Sequence, residues 1–209
     1  ALSQQFHYPY VPEDERKPGS ELVTLSQPFS RQAEAFRSIR SQLMMRLAFE
    51  NGSSRRALAI VSTNPGDGKT YFSANLGVSL AQLGARTLVV DADLRGPRLH
   101  EVFNLPNASG LSGILAGHPE NRAIQQVSNV PGLFVLPAGV VPPNPLELIE
   151  RPAFGLLMRE LISKFDHVVI DTPSADQGSD AAVISARAGA VLVLARKDQS
   201  RVAALRGLV

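Results

Sequence analysis

STNPGDGKTYF, Ser62 to Phe72, decides how the rest of the chain is read. It contains Gly68-Lys69-Thr70, the end of a phosphate loop, yet the G-x-x-x-x-G-K-[ST] spacing asks for a glycine where Thr63 stands. The flanks separate a phosphate cradle from a turn with a surface lysine. On one side RALAIVS (56–62) is a short apolar run rich in strand formers; on the other YFSANLGVSLAQLG (71–84) has a helical pattern that stops at Gly84. A loop between a buried strand and a helix lies where free helical amides and the helix dipole favour an anion. Gly66 and Gly68 would let the backbone wrap phosphate oxygens, Lys69 would reach the β and γ phosphates, and the Thr70 hydroxyl would face Mg²⁺. Asn64, Pro65, Asp67 and Tyr71 complete the candidate nucleotide-binding loop, although Tyr71, at the start of the helix, also reads as a packing residue.

Outward from the loop, TLVVD (87–91), LFVLPA (133–138), HVVID (167–171) and AVLVLA (190–195) read as further buried strands. Helical patterns such as AFGLLMRELISKF (153–165) and DAAVISARA (180–188) lie between them. Apolar strands alternating with helices predict an α/β fold, a mostly parallel sheet with helices on both faces. Before the first strand, Ser30 reads as an N-cap, and Ala33, Phe36, Ile39, Leu43 and Leu47 form an apolar stripe on one helix face that ends near ENGSS (50–54). Residues 1–29 mix proline, charge and isolated aromatics without periodicity, so they are expected to be an extended arm ahead of a domain covering 30–209.

Composition narrows the function classes. The 209 residues suit one globular domain, and a net charge of +2 with no basic block gives no reason to expect nucleic acid as a partner. Absence of cysteine removes disulfide frameworks and zinc thiolates, and agrees with a cytoplasmic location. No apolar run approaches the roughly 20 residues of a membrane helix, so membrane association is expected through a partner. His7, His100, His118 and His167 lack metal-ligand spacing, and no Ser/His/Asp arrangement for a hydrolytic triad emerges.

Asp91 and Asp93 end one strand in LVVDADLR, and Asp171 ends another in HVVIDTPS. Carboxylates at the carboxyl ends of parallel strands point into the crevice where such sheets bind ligands. A lone aspartate there commonly caps a loop, whereas a set beside a phosphate loop can hold Mg²⁺ with Thr70 and leave a spare carboxylate as base. Pro142, Pro143 and Pro145 stiffen a loop ahead of a helix starting near Pro145.

STNPGDGKT, VVDADLRGPRLH, PAGVVPPNPLELI, FDHVVIDTPS and SDAAVISARAGAVLVLAR, in this order and spacing from about Glu34 to Val209, resemble the bacterial tyrosine kinases of exopolysaccharide and capsule synthesis. The likeness is to the autokinase associated with a membrane chain-length determinant. That resemblance implies a P-loop fold of the deviant-Walker, MinD-like type, ATP and Mg²⁺ as cofactors, and a loop in which the first glycine is dispensable. It places Lys69 and Thr70 in the first nucleotide motif, Asp91 and Asp93 in the second and Asp171 in the Walker B motif. Asp91 is then the expected base, with Asp93 and Asp171 on Mg²⁺, although Asp91 and Asp93 can trade roles. Arg95 is read as contacting phosphate or a partner carboxylate, or as a loop-anchoring ion pair. Glu34, Arg37 and Arg40, from spacing alone a solvated face, correspond to the family's self-association motif, which builds a ring whose subunits offer tyrosines to their neighbours.

The family's C-terminal tyrosine cluster, and the strand and helix before it, are not found in this sequence. Tyr8, Tyr10 and Tyr71 are its only tyrosines, and the first two are candidate phosphoacceptors. Septum-site and partitioning ATPases share the expected fold but carry a lysine where Asn64 stands, which favours the kinases over an ATPase switch. A nonenzymatic nucleotide-binding scaffold is the other alternative.

Overall fold

The computed structural model describes residues 19–49, 57–118, 122–197 and 199–200, with side chains in the second helix placed as far as Arg46. Tyr8, Tyr10, Leu47, the ENGSS stretch and residues 201–209 therefore lie outside the described parts.

Six strands form one sheet. They are β1 (Ala57–Ser62), β2 (Thr87–Asp91), β3 (Gln125–Gln126), β4 (Leu133–Leu136), β5 (His167–Asp171) and β6 (Gly189–Leu194), in the order β3-β4-β2-β5-β1-β6. Every pairing is parallel except β3 with β4. Every residue of β1 and β2 is buried, because strands covered on both faces have no solvent side to alternate with. Alternate side chains feed two cores. Ala57, Ala59, Val61, Leu88 and Val90 join the one under α5 (Leu111–Ala116), α6 (Pro145–Glu150), α7 (Pro152–Lys164) and α8 (Asp180–Ala188). Leu58, Ile60, Val89 and Val169 join the other, under α1 (Val23–Ser26), α2 (Arg31–Phe49), α3 (Lys69–Ala81) and α4 (Leu99–Val102).

The stripe expected on α2 is present. Ser30 Oγ accepts the Ala33 amide at 3.1 Å as N-cap, and Ala33 and Phe36 are buried while Ile39 and Leu43 are half-buried. Pro145 begins α6, as its fixed φ favours. The sequence pattern missed β3, α4 and α5, which are too short to show a period.

The extended arm needs correction where it can be seen. Residues 19–29 contain α1 and cross the domain as a strap, with Leu22 fully buried in the second core. Asn75, buried on α3, holds the strap: its Oδ1 accepts from Thr24 N at 3.1 Å and Thr24 Oγ1 at 2.9 Å, and its Nδ2 donates to Glu21 O at 2.9 Å. Gly19 N donates to Val102 O, and Glu21 pairs with Arg98, so the strap also touches α4. Leu22 is the anchor, and the short apolar stretch Leu22, Val23 and Leu25, at and within a four-residue helix, is too brief to show a period.

Candidate active site

Register places the carboxylates. β2 and β5 are neighbours, and Asp91 pairs directly with Asp171 at the carboxyl ends of both strands, while the phosphate loop leaves the end of adjacent β1. Strand ends and loop thus converge on one edge of the sheet, the crevice in which parallel sheets bind ligands.

The loop itself is built around its glycines. Gly66 (φ +78°) and Gly68 (φ +94°) are left-handed, and Gly68 caps α3, so a side chain at either would strain the backbone. A Cβ on either glycine would have nothing within 4 Å, so it is the backbone conformation and not crowding that calls for glycine there. Asp67 Oδ2 accepts the Asn64 amide at 3.0 Å, and Ser62 Oγ donates to Asn64 O at 3.1 Å, which braces the turn internally. Thr63 is buried, and its Oγ1 accepts from Asn64 Nδ2. Lys69, also buried, donates from Nζ to Ser62 Oγ at 2.9 Å and so is held along the loop.

Thr70 Oγ1 donates to Asp171 Oδ2 at 2.6 Å, and Ser73 Oγ, one turn further along α3, approaches Asp171 Oδ1 at 3.4 Å. Burial pushes the Asp171 carboxyl up to about 7, with the Asp93 charge adding and the Thr70 bond and the Lys69 ammonium opposing. Burial beside Asp171 likewise raises Asp91 well above the usual carboxylate range. Two buried carboxylates in register, both driven toward protonation, are short of positive charge. The donor set of one hydroxyl and hard carboxylate oxygens suits Mg²⁺, which takes few protein ligands and fills its shell with phosphate oxygens and water. Among the described residues no group of three or more His, Cys, Asp or Glu could hold a metal ion.

The two aspartates of the second motif differ in access. Asp91 is fully buried, and both its oxygens accept backbone amides: Oδ1 from Asp93 at 3.2 Å and Oδ2 from Leu99 at 3.0 Å. Asp93 is half-buried, and its Oδ1 accepts from the amides of Arg95 and Gly96. Asp93 Oδ1 is thus engaged by its own loop, while the Asp93 charge still acts on Asp171.

Two binding expectations need correction. Arg95 makes a bidentate ion pair with Asp180 at 3.1 and 2.9 Å, the loop-anchoring alternative, because the buried Asp180 carboxylate matches its planar fork. The Tyr71 ring meets Phe36 edge-on at 5.9 Å between α3 and α2, so it is a packing residue. Sequence reading missed Ser73, although its spacing of three from Thr70 puts both on one helix face. It also missed Asp180 and Arg196, whose Nη1 comes within 3.5 Å of Gly66 O from the loop after β6, for which no local signal exists.

On α2 the three charged residues are already engaged within the chain. Arg37 pairs with Glu34 at 2.7 Å and donates to Pro28 O, while Arg40 Nη1 donates to Ser79 O at 2.7 Å. Burial, then the nearby Arg37 charge, lowers the Arg40 pKa. Among the described residues no helix is long and apolar enough to cross a membrane.

These features define a class, the P-loop nucleotide-binding domains built on a mostly parallel sheet, and residues 58–177 match the family described as the CobQ/CobB/MinD/ParA nucleotide binding domain. Within that class the similarity is sharper. Tyrosine-protein kinase CpsD of Streptococcus agalactiae is 38% identical over 162 residues, 77% of this chain and 69% of that protein. Tyrosine-protein kinase wzc of Salmonella typhimurium is 34% identical over 177 residues, 85% of this chain but 24% of that protein. The kinase domain of Escherichia coli tyrosine kinase ETK superposes with a TM-score of 0.86 at 32% identity, covering 92% of this chain and 74% of that one. The chain belongs to the bacterial tyrosine kinases, and it is an ATP-binding kinase domain of that family. It spans about 69% of CpsD and about a quarter of wzc.

Proposed function

We propose that the protein is an autokinase that transfers the γ-phosphoryl group of ATP to tyrosine and so regulates exopolysaccharide or capsule polymerisation and export. The observation that carries this reading is the Asp91/Asp171 register pair opposite a loop whose Thr70 hydroxyl is bonded to Asp171. Phosphoryl transfer leaves a protein little covalent work and asks mainly for positioning and charge stabilisation, which this edge of the sheet is built to supply.

In the proposed mechanism the loop amides and Lys69 hold the β and γ phosphates and offset charge as the γ-phosphoryl group moves. Thr70 and Asp171, with Asp91 beside them, would hold Mg²⁺, which would supply positive charge against the charge that develops during transfer. Asp93 accepts the proton of the tyrosine hydroxyl, the phenolic oxygen forms its bond to γ-phosphorus, and the bond from γ-phosphorus to the bridging oxygen breaks to release ADP. The half-exposed position of Asp93 supports its choice over Asp91 as base, because a base must come within hydrogen-bond reach of the proton it takes.

The wider setting is part of the same proposal. The partner is a membrane chain-length determinant protein that holds this domain at the cytoplasmic face, and copies of the chain associate through Glu34, Arg37 and Arg40 and present tyrosines to one another. The kinase domain begins at the strap rather than at residue 30.

Asp93→Asn and Asp91→Asn test the assignment, compared for tyrosine labelling and for Mg²⁺-nucleotide affinity by calorimetry. Asp93→Asn is expected to lose labelling while keeping affinity within about threefold, and Asp91→Asn to lose affinity as well. The opposite pattern would restore Asp91 as the base.

A further inference from the structure

The loop that carries Asp93 is secured from the far side of the site. Arg95 Nε and Nη2 donate to the two oxygens of Asp180, at 3.1 and 2.9 Å, across 85 residues of sequence. The Asp180 side chain is 2% exposed and the Arg95 side chain 32%, so the pair has a buried acidic end and an accessible basic end. Asp180 opens α8, an element packed on β1, whose own end launches the phosphate loop. The same Arg95 contributes its backbone amide to Asp93 Oδ1 at 3.2 Å, and Gly96 adds a second amide at 3.0 Å. Gly178 makes room for this join: a Cβ there would come within 3.1 Å of Asp180 Oδ1 and 3.2 Å of Arg95 Nη2. A continuous chain of bonds thus runs from the start of α8, through one guanidinium and one loop turn, to the carboxylate of Asp93.

We infer that Asp180 is a positioning residue for phosphoryl transfer, which holds the Asp93 carboxylate in place through Arg95. The physical reason is the fork of two charge-assisted bonds, which fixes the orientation of the guanidinium as well as its distance. Without it the turn from Asp93 to Gly96 is held by local amide bonds alone, and Asp93 samples orientations that miss the incoming hydroxyl. A small displacement of a reacting group costs rate far more than it costs binding. Substrate is touched by Asp93, not by Asp180 or Arg95. The inference rests on the reading of Asp93 as the base, so its test includes an arm that does not depend on turnover.

Asp180→Asn, Arg95→Met and the double variant are compared with the parent protein in two measurements. In the first, amide hydrogen exchange is followed in peptides covering 92–98 and in α3 and α7 as controls. Both single variants are expected to speed exchange at Arg95 and Gly96 about tenfold or more while the control helices stay unchanged. In the second, tyrosine labelling is measured against ATP concentration: kcat is expected to fall about ten- to a hundredfold with KM for ATP within about twofold, and the double variant to be no worse than either single one. Arg95→Met, which alters the accessible partner, serves where Asp180→Asn folds poorly. Unchanged exchange at 95–96 would overturn the latch, whatever the activity. Accelerated exchange with unchanged kcat would overturn the positioning role, and additive losses in the double variant would overturn action through a shared bond. A parent protein that labels no tyrosine would count against the kinase mechanism, and the exchange measurement would still decide the latch.

Discussion

Thr70 Oγ1 donates a 2.6 Å hydrogen bond to Asp171 Oδ2, joining the first turn of the phosphate-loop helix to the end of β5. The bond draws together the hydroxyl and the carboxylate that a magnesium ion would need on the same side. Thr70→Ala should therefore raise the Mg²⁺ concentration needed for half-maximal tyrosine labelling by about tenfold or more, as removal of a group that ligates or orients a metal site generally does. Titration of MgCl₂ at fixed ATP measures it, and an unmoved midpoint would place the ion elsewhere.

The burial of Asp171 and Asp91 has a sign in pH. Both carboxyls lie above the ordinary value of about 3.9, Asp171 at about 7, so between these limits the folded chain binds more protons than the unfolded one. Stability of the Mg²⁺-free protein is then fully present below about pH 4 as far as these groups are concerned, and is lost as pH rises through about 7. Thermal melts without metal should fall from pH 5 to pH 8, and Asp171→Asn should flatten that fall. A parent curve that rises over this range relative to Asp171→Asn would contradict the burial argument.

The strap makes the N-terminal correction testable. Leu22 is fully buried in the second core, and truncation of such a leucine to alanine costs about 2–5 kcal/mol. Asn75→Ala should cost about 1–3 kcal/mol, because it strands the Thr24 and Glu21 groups that Asn75 satisfies. Denaturant unfolding measures both. Neutral substitutions at both positions would mean that residues 19–29 behave as the free arm first expected.

On α2 the charged trio separates into two roles. Glu34 and Arg37 form an exposed pair, and such pairs stabilise little, so Glu34→Ala with Arg37→Ala should leave the melting temperature nearly unchanged while lowering the mass seen by light scattering. Arg40→Ala should lower the melting temperature as well, because Arg40 is tied to Ser79 O on α3. An unchanged mass in the first variant would sink the interface.

The degree to which sequence disclosed this molecule depended on the range of the interactions involved. Strands such as Ala57–Ser62 and Thr87–Asp91 were legible because burial on both faces demands an unbroken apolar run, and α2 because its stripe and Ser30 cap are local. Lys69, Thr70 and Asp171 were legible because their spacing from strand ends carries the chemistry. Leu22 was not, since its burial depends on α3 and α4 rather than on its neighbours. Nor was the Arg95 partner: the nearest hint of Asp180 in sequence was a helix start, and only the packing of α8 against β1 brings it to the loop. The surroundings of Asp91 and Asp93 followed the same rule, for spacing treats them alike while burial and backbone amides do not.

The proposed chemistry is transfer of phosphate to tyrosine at this edge of the sheet, through the phosphate loop. The most direct measurement incubates the protein with Mg²⁺ and γ-labelled ATP, alone and with the cytoplasmic segment of a membrane chain-length determinant, beside Lys69→Met, followed by phosphoamino-acid analysis. Label on phosphotyrosine that disappears in Lys69→Met is the expected result. Label that survives in Lys69→Met, or release of inorganic phosphate with no phosphotyrosine, would contradict it.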